Sequence, residues 1–331
     1  MSLSLLVGGA LVIRDWQSGN ETRGPRPEVS RSPENHSKAK VPQVSARLEK
    51  AMKEQVLRVG VKEDQPGLSE QQANGEWTGF DIEYAVKIVR GLGFTGTIKF
   101  VPLGTEVRES EVELGNVLLT VGSYSITTKR KRLVRFAGPY FVTQQALLMH
   151  TGEPGKVAFR ENGGRTYAEV NSVADLRPGT VFCTASSSTS AERLESSYPD
   201  KNFTVIEKAD YQQCVDDLLD DGGRTEVVST DRAVLAGFLS TDDRLKMIRD
   251  SLKDSTESWG IGMHLDDPEL QRRVCDVVEK IRTDGWQDLY DRHLKVPMDD
   301  KSNRSPEPTE CATVTATPAI AAATTATSAG G

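Results

Sequence analysis

Strand and helix signals alternate along the middle of this chain, and that alternation narrows the fold before any single motif does. The stretch VLRVGVK (56–62) is apolar at every second position. FDIEYAVKIVRGLG (80–93) carries apolar residues at helical spacing and stops on glycine, and TIKFVPL (97–103) returns to strand composition. After a glycine-rich stretch at 152–165 the pattern resumes with strand TVFCTAS (180–186), a helix from Thr189 through Leu194, strand FTVIEKA (203–209), helix QQCVDDLLDD (212–221) and strand EVVST (226–230). Strands separated by helices at this spacing favour parallel sheets with helices on their faces. Two α/β lobes are the economical reading, with the cleft between them as the default ligand site.

The 331 residues, 37% hydrophobic and 27% charged, suffice for two lobes with proper cores. Forty-one basic against 48 acidic residues give a net charge of −7, which argues against a general nucleic-acid or anionic-membrane surface. The five cations of KRKRLVR (129–135) are therefore a local feature that needs a local reason. Residues 2–13, SLSLLVGGALVI, are apolar but shorter than the ~20 residues of a bilayer span, and no Lys or Arg precedes them as in a signal peptide. We read 1–16 as an apolar anchor or signal remnant, against the plainer alternative of an ordinary apolar terminus. Linker composition follows from Gln17 to about Pro42, and 17–54 is expected to be disordered, as is the Thr/Ala/Pro-rich tail at 297–331.

In open α/β sheets ligands bind beyond the carboxyl ends of strands. The residues there are Lys62, Asp64 and Gln65 after the first strand, Ser123, Ser125 and Arg130 after NVLLTVG (116–122), Ser188, Thr189 and Ser190 after TVFCTAS, and Asp231 after EVVST. Cations, hydroxyls, a helix N-terminus at Thr189–Ser190 and one carboxylate suit a zwitterionic amino acid better than a sugar or a metal.

Five segments carry a resemblance. GVKEDQPGLSEQQANGEWTGFDIEYAVKIVRGLGF (60–94), GSYSITTKRKRLVRFAGPYFVTQQALLM (122–149), CTASSSTSAERL (183–194), VVSTDRAVLAGFL (227–239) and ESWGIGMHLDDPELQRRVCDVVEKIRTDGWQDLYDRHL (257–294) together resemble the family 3 extracellular solute-binding proteins of amino-acid ABC importers. KEDQPG and CTASSSTS are most similar to the glutamate-binding branch of the actinobacteria, the high-GC Gram-positive bacteria. The resemblance implies a two-lobed periplasmic-binding-protein fold of type II, with 55–148 plus 254–296 as lobe 1 and 149–253 as lobe 2. It implies crossings near 145–149 and 259–263, and C-terminal helices at 268–294 packed back on lobe 1. The implied function is capture of glutamate or another acidic or polar amino acid outside the cytoplasm and delivery to an ABC permease by hinged closure, as a monomer without cofactor or metal. An amino-acid-sensing ectodomain is the alternative and a dehydratase on the same fold a remote one.

By the same resemblance the pattern S/T-I-T-x-x-R, here Ser125 to Arg130, places Arg130 on a ligand α-carboxylate, which explains one of the five cations. Lys129, Lys131, Arg132 and Arg135 read as a solvated face. Asp231 would take the α-ammonium or serve as an N-cap, and both roles are compatible. Lys62 would neutralise a side-chain carboxylate or else sit at the surface paired with Glu63 or Asp64; Arg108 is the second candidate for a distal carboxylate. The chain departs from the family pattern, an apolar-Pro helix start followed by G-x-V-D, at Glu109, Ser110 and Leu118, and it lacks a clear counterpart of the aromatic residue that often covers the ligand. Cys183 and Cys214 match a cysteine pair of the glutamate-binding branch, implying a disulfide and an oxidising exterior. Cys275 reads as buried core and Cys311 is unassigned. No zinc-spaced Cys/His set or G-x-S-x-G elbow suggests catalysis.

Overall fold

The computed structural model describes residues 45–152, 154–249, 252, 255–298 and 303–315; the expected anchor and the linker up to residue 44 lie outside them. Helix α1 (Ala46–Glu54) opens on Ser45, whose hydroxyl accepts from the Leu48 amide and donates to Asp267 at 2.6 Å. That cap, with Leu48 and Ala51 buried, orders the last residues of a segment expected to be disordered through 54. Strand β1 (Val56–Val61) buries Leu57, Val59 and Val61 on one face, as its period of two requires. Three short strands, β2 (Asp64–Gln65), β3 (Ser69–Gln71) and β4 (Trp77–Thr78), form a small antiparallel sheet ahead of helix α2 (Phe80–Gly91). Then come β5 (Thr97–Pro102), α3 (Arg108–Glu113), β6 (Leu119–Thr120) and the 17-residue β7 (Val134–His150).

The hairpin β8 (Val157–Glu161) and β9 (Gly164–Ala168) precedes an alternating run: β10 (Val181–Ala185), α4 (Thr189–Ser197), β11 (Thr204–Lys208), α5 (Tyr211–Leu219), β12 (Val227–Asp231), α6 (Arg232–Leu239). Strands β13 (Leu245–Ile248) and β14 (Thr256–His264) lead into helices α7 (Pro268–Thr283), α8 (Trp286–His293), α9 (Lys295–Met298) and α10 (Thr309–Thr315).

Two half-sheets share β7. One runs β5–β1–β6–β14–β7, with β1 parallel to β5 and β6; the other runs β7–β12–β10–β11, with β10 parallel to β11 and β12. Residues of β7 pair with β14 from Val134 to Gln144, and with β12 from Gln145 to Met149. The forward crossing thus falls at Gln144–Gln145. The return enters the first half-sheet at Thr256, ahead of the expected 259–263, because β14 pairs with β7 from its first residue onward.

Lobe 1 is filled by aromatic rings from three directions: Phe80 and Tyr84 of α2, Tyr140 and Phe141 of β7, Trp259 of β14 and Trp286 of α8, all buried. The Trp286 indole N–H donates to the Tyr140 carbonyl at 2.7 Å, fixing the C-terminal helices to the shared strand. Gly237 of α6 stands where an added Cβ would lie 2.0 Å from the Pro66 carbonyl, so this helix of the second half-sheet approaches the β2–β3 turn at backbone contact.

Cys183 of β10 and Cys214 of α5, the pair implied by the resemblance, are joined as a disulfide with Cα atoms 5.5 Å apart. Cys275 is buried as expected, but it is bonded to Cys311. That bond, a Glu310–Lys131 pair at 3.0 Å and a Glu307–Arg282 pair at 3.0 Å hold part of the expected disordered tail against the body as α10. The cross-links supply the ordering that its Thr/Ala composition does not.

Closing a loop with the 31-residue separation of Cys183 and Cys214 restricts the unfolded chain by about 3–4 kcal/mol on the chain-entropy estimate. Guanidinium titration of C183S/C214S should show a loss of about that size; a loss under about 1 kcal/mol would mean the α5–β10 contact is held by packing alone.

Candidate functional site

The loop after β6 carries the cationic wall of a cleft between the half-sheets. Gly122 O accepts from Arg108 Nη1 at 3.1 Å and Ser125 O accepts from Arg130 Nη1 at 2.9 Å. The Tyr124 ring lies under both, its centroid 4.2 Å from the Arg108 guanidinium carbon and 5.3 Å from that of Arg130. From the opposite lobe, Ser187 O accepts from Arg130 Nη2 at 3.1 Å, while Glu109 Oε1 sits 3.3 Å from Arg130 Nε. Arg108 is buried and its Nε has no hydrogen-bond partner. Burial first, and the neighbouring Arg130 charge second, pull its pKa down to about 10. Two desolvated cations side by side are a standing demand for an anion.

Ser123, between these two carbonyls, has φ +42°, a conformation that non-glycine residues rarely take. Its amide donates to Asp81 Oδ2 at 2.9 Å, and Tyr140 Oη donates to Asp81 Oδ1 at 2.9 Å. Among the described residues no cation faces this fully buried carboxyl, and desolvation raises its pKa to about 7 against the lowering effect of its two donors.

The other wall belongs to the second half-sheet. Ser188 is the N-cap residue of α4, its hydroxyl 2.9 Å from that of Thr184. Thr189 Oγ1 accepts from Gln145 Nε2 at 3.2 Å, and the same amide reaches Glu257 at 3.2 Å. Asp231 occupies the N-cap position of α6, yet its side chain makes no capping bond; Oδ2 accepts from the Trp259 indole at 2.6 Å. Burial, and then the Glu257 carboxylate, hold Asp231 well above the usual carboxylate range.

Seven of the eleven sequence-derived candidates, Arg108, Ser123, Ser125, Arg130, Ser188, Thr189 and Asp231, line one narrow cleft. Three others on that lining, Thr105, Tyr211 and Thr230, were missed by sequence reasoning; Thr230 directly precedes Asp231 and could have been read from its place at a strand end. Lys62, Asp64, Gln65 and Ser190 do not line it. The Lys62 ammonium is buried and lies 3.4 Å from Leu103 O and 3.5 Å from Asp64 Oδ1, so the pairing with Asp64 holds, inside the protein rather than at its surface. Asp64 turns its other oxygen to the Tyr211 amide at the start of α5, at 2.9 Å. Gln65 is buried with both amide atoms unpartnered, and Ser190 is buried in the first turn of α4. The rest of the basic run serves the surface: Lys129 meets Glu192 of α4, Lys131 meets Glu310, and Arg135 donates to Leu265 O and Gln271.

A family model, bacterial extracellular solute-binding proteins, family 3, matches residues 57–296. The chain belongs to that family. Among curated relatives, the glutamate-binding protein GluB of Corynebacterium glutamicum is 28% identical over 248 residues, covering 72% of this chain and 78% of that one. The glutamine-binding protein of Geobacillus stearothermophilus is 30% identical over 218 residues, covering 65% and 75%. Among solved structures, an ancestral arginine-binding protein bound to arginine superposes with a TM-score of 0.61 at 24% identity, covering 72% of this chain and 98% of that one. An ancestral amino-acid-binding protein that is a precursor of cyclohexadienyl dehydratase gives 0.62 at 24%, covering 75% and 99%. These establish the two-lobed binding-protein fold.

A carboxyl whose pKa is raised on folding favours the native state below its unfolded pKa, near 4, and that contribution is lost as pH rises to about 7. Denaturant midpoints of the native chain should therefore fall between pH 5 and pH 8, and fall less in Asp81→Asn. Equal slopes in the two proteins would mean that Asp81 is ionised throughout.

Proposed function

We propose that the chain captures an acidic amino acid, glutamate foremost, outside the cytoplasm and hands it as a monomer to an ABC permease. The observation that carries this reading is the charge pattern of the cleft: two buried guanidiniums, one with an unpartnered Nε, face a single buried carboxyl across one narrow cleft. A dicarboxylic amino acid presents the complementary set. The relatives named for glutamate and glutamine support this choice, and the family's extracellular description supports the location.

In this reading Arg130 holds the α-carboxylate, joined by Ser188 and Thr189 from the other lobe. Asp231 takes the α-ammonium and Arg108 the distal carboxylate. Lys62 and Gln65 act from behind the wall. The lobes rotate about Gln144–Gln145 and Ser255–Thr256, the two places where the chain passes between half-sheets. Because its contacts come from both lobes, the ligand stabilises the closed arrangement, which the permease recognises. The dehydratase-related neighbour draws attention to Asp231 as a buried acid, but binding alone accounts for its place opposite two arginines; the bound amino acid should be recovered unchanged, by NMR, after prolonged incubation.

Calorimetry of the native chain should find L-glutamate bound, with affinity reduced about a hundred-fold in Arg130→Ala, as expected when one partner of a buried charge pair is removed. Arg108→Met should lose the preference for glutamate over glutamine while still binding the latter. If glutamate binds as tightly to Arg108→Met as to the native chain, Arg108 does not read the side chain.

Asp231 must be ionised to meet an ammonium, and its raised pKa in the free protein means that binding near neutrality expels a proton. Glutamate affinity should rise with pH through the neutral range and then level, and the binding heat should scale with buffer ionisation enthalpy in the sense of proton release. Proton uptake would remove Asp231 from the ammonium site.

A further inference from the structure

The wall that carries both arginines is held from outside the cleft. Upstream, the Val121 amide donates to Gly60 O of β1; downstream, Tyr124 O accepts from Gly260 and the Ile126 amide donates to Ser258 O, both of β14. Between these ties the backbone steps from one strand to another through Ser123 at φ +42°. The tie at that step is the bond from the Ser123 amide to Asp81. Asp81 is itself anchored in the lobe 1 core by Tyr140, whose ring stacks on Tyr84 with centroids 4.8 Å apart.

The step decides where the cations stand. Gly122 O, Tyr124 and Ser125 O, on either side of Ser123, are the groups that receive Arg108 and Arg130. Gly122 has no slack of its own, since an added Cβ would lie 3.1 Å from the Lys62 backbone nitrogen and side chain. Releasing Ser123 to an ordinary negative φ would therefore move the carbonyls and the ring together, and both guanidiniums with them. A buried carboxyl without a cationic partner is costly to keep, and a mere space-filler at this site needs no charge.

Resting on the reading of this cleft as the ligand site, we infer that Asp81 is a positioning residue for ligand capture: without touching the ligand, it fixes the 122–125 backbone and thereby the placing of both arginines. A hydrogen bond to a carboxylate and a left-handed non-glycine residue depend on each other here. Remove the acceptor and the strained conformation loses its support; put glycine at 123, which adopts positive φ freely, and the support is no longer needed.

The test uses the full chain and two readouts. Without ligand, the Nε–H resonances of Arg108 and Arg130 report their stacking on Tyr124 through its ring current; with L-glutamate as probe, calorimetry gives Kd. Asp81→Ala should move both resonances toward free-arginine values and raise Kd about ten-fold or more, the scale of one charge-assisted hydrogen bond. Asp81→Asn, whose carbonyl still accepts from Ser123 while its amide donates to Tyr140 Oη, should stay within about three-fold of the native Kd. In a Ser123→Gly background, Asp81→Ala should cost less than about three-fold and leave the resonances where Ser123→Gly alone puts them. If the alanine variant does not fold, Asp81→Val fills the cavity with apolar atoms and serves in its place. A lowered melting temperature with native Kd and resonances, or an equal loss in the glycine background, overturns the inference. If the resonances respond as described while the native chain takes up no glutamate, the positioning role stands and the acidic-ligand reading fails.

Discussion

One strand, Val134–His150, belongs to both half-sheets, and the two walls of the cleft take their relation from the point at which it changes partners. The change falls between Gln144, paired with Thr256 of β14, and Gln145, paired with Asp231 of β12, so the proposed motion between the lobes would turn there. That point is Gln144–Gln145, beside Ser255, whose carbonyl and hydroxyl both accept from the Gln145 amide at 3.1 and 3.2 Å. The Gln145 side chain spans from Thr189, on the second-lobe wall, to Glu257, on the returning strand. The proposed hinge and the cleft wall are thus bonded to one residue, and a rotation there would be felt at Thr189 without an intermediary.

What closes the lobes is decided by the relative strength of their contacts. Lys129–Glu192 bridges the cleft mouth at 2.8 Å, but both side chains are largely exposed, and pairs of that kind contribute at most about 1 kcal/mol. Arg130 to Ser187 O is only half-buried, and it sets a guanidinium against a neutral carbonyl. Without an anion the closed cleft keeps two cations out of water with Glu109 as the nearest carboxylate to Arg130. A ligand carboxylate removes that penalty only when both walls surround it. On the proposed reading, closure would therefore depend on the ligand's charge more than on the protein's own inter-lobe bonds.

The sequence showed the periodicities that build the sheets because they are local, and the family resemblance, through its Ser125-to-Arg130 pattern, pointed to the arginine that reaches the cleft. It left Lys62 divided between ligand and partner, since the outcome depends on Asp64, whose second oxygen serves the Tyr211 amide 147 residues away. Tyr211 escaped notice for the same reason: it opens a helix, and its place on the cleft is set by packing between distant segments. The C-terminal tail misled by composition. Its order comes from Cys311 and Glu310, and the latter's partner, Lys131, lies beside Arg130, so part of the conspicuous basic run belongs to the tail rather than to the ligand.

Asp81 and Asp231 show how two buried carboxyls of one residue type can be divided between structure and binding. Both are pushed upward by desolvation, and neither shares a salt bridge among the described residues. Asp81 has each oxygen occupied by a donor from the protein, and its charge is answered entirely by groups that do not move with the ligand. Asp231 gives one oxygen to Trp259 and lines the cleft, so its charge can be answered from there. Trp259 stacks on Phe141 of the shared strand, with centroids 4.9 Å apart. The Asp231 carboxyl is thereby referred to the first lobe even though Asp231 belongs to the second, and an amino acid held between Arg130 and Asp231 would be gripped against a single frame once the lobes meet.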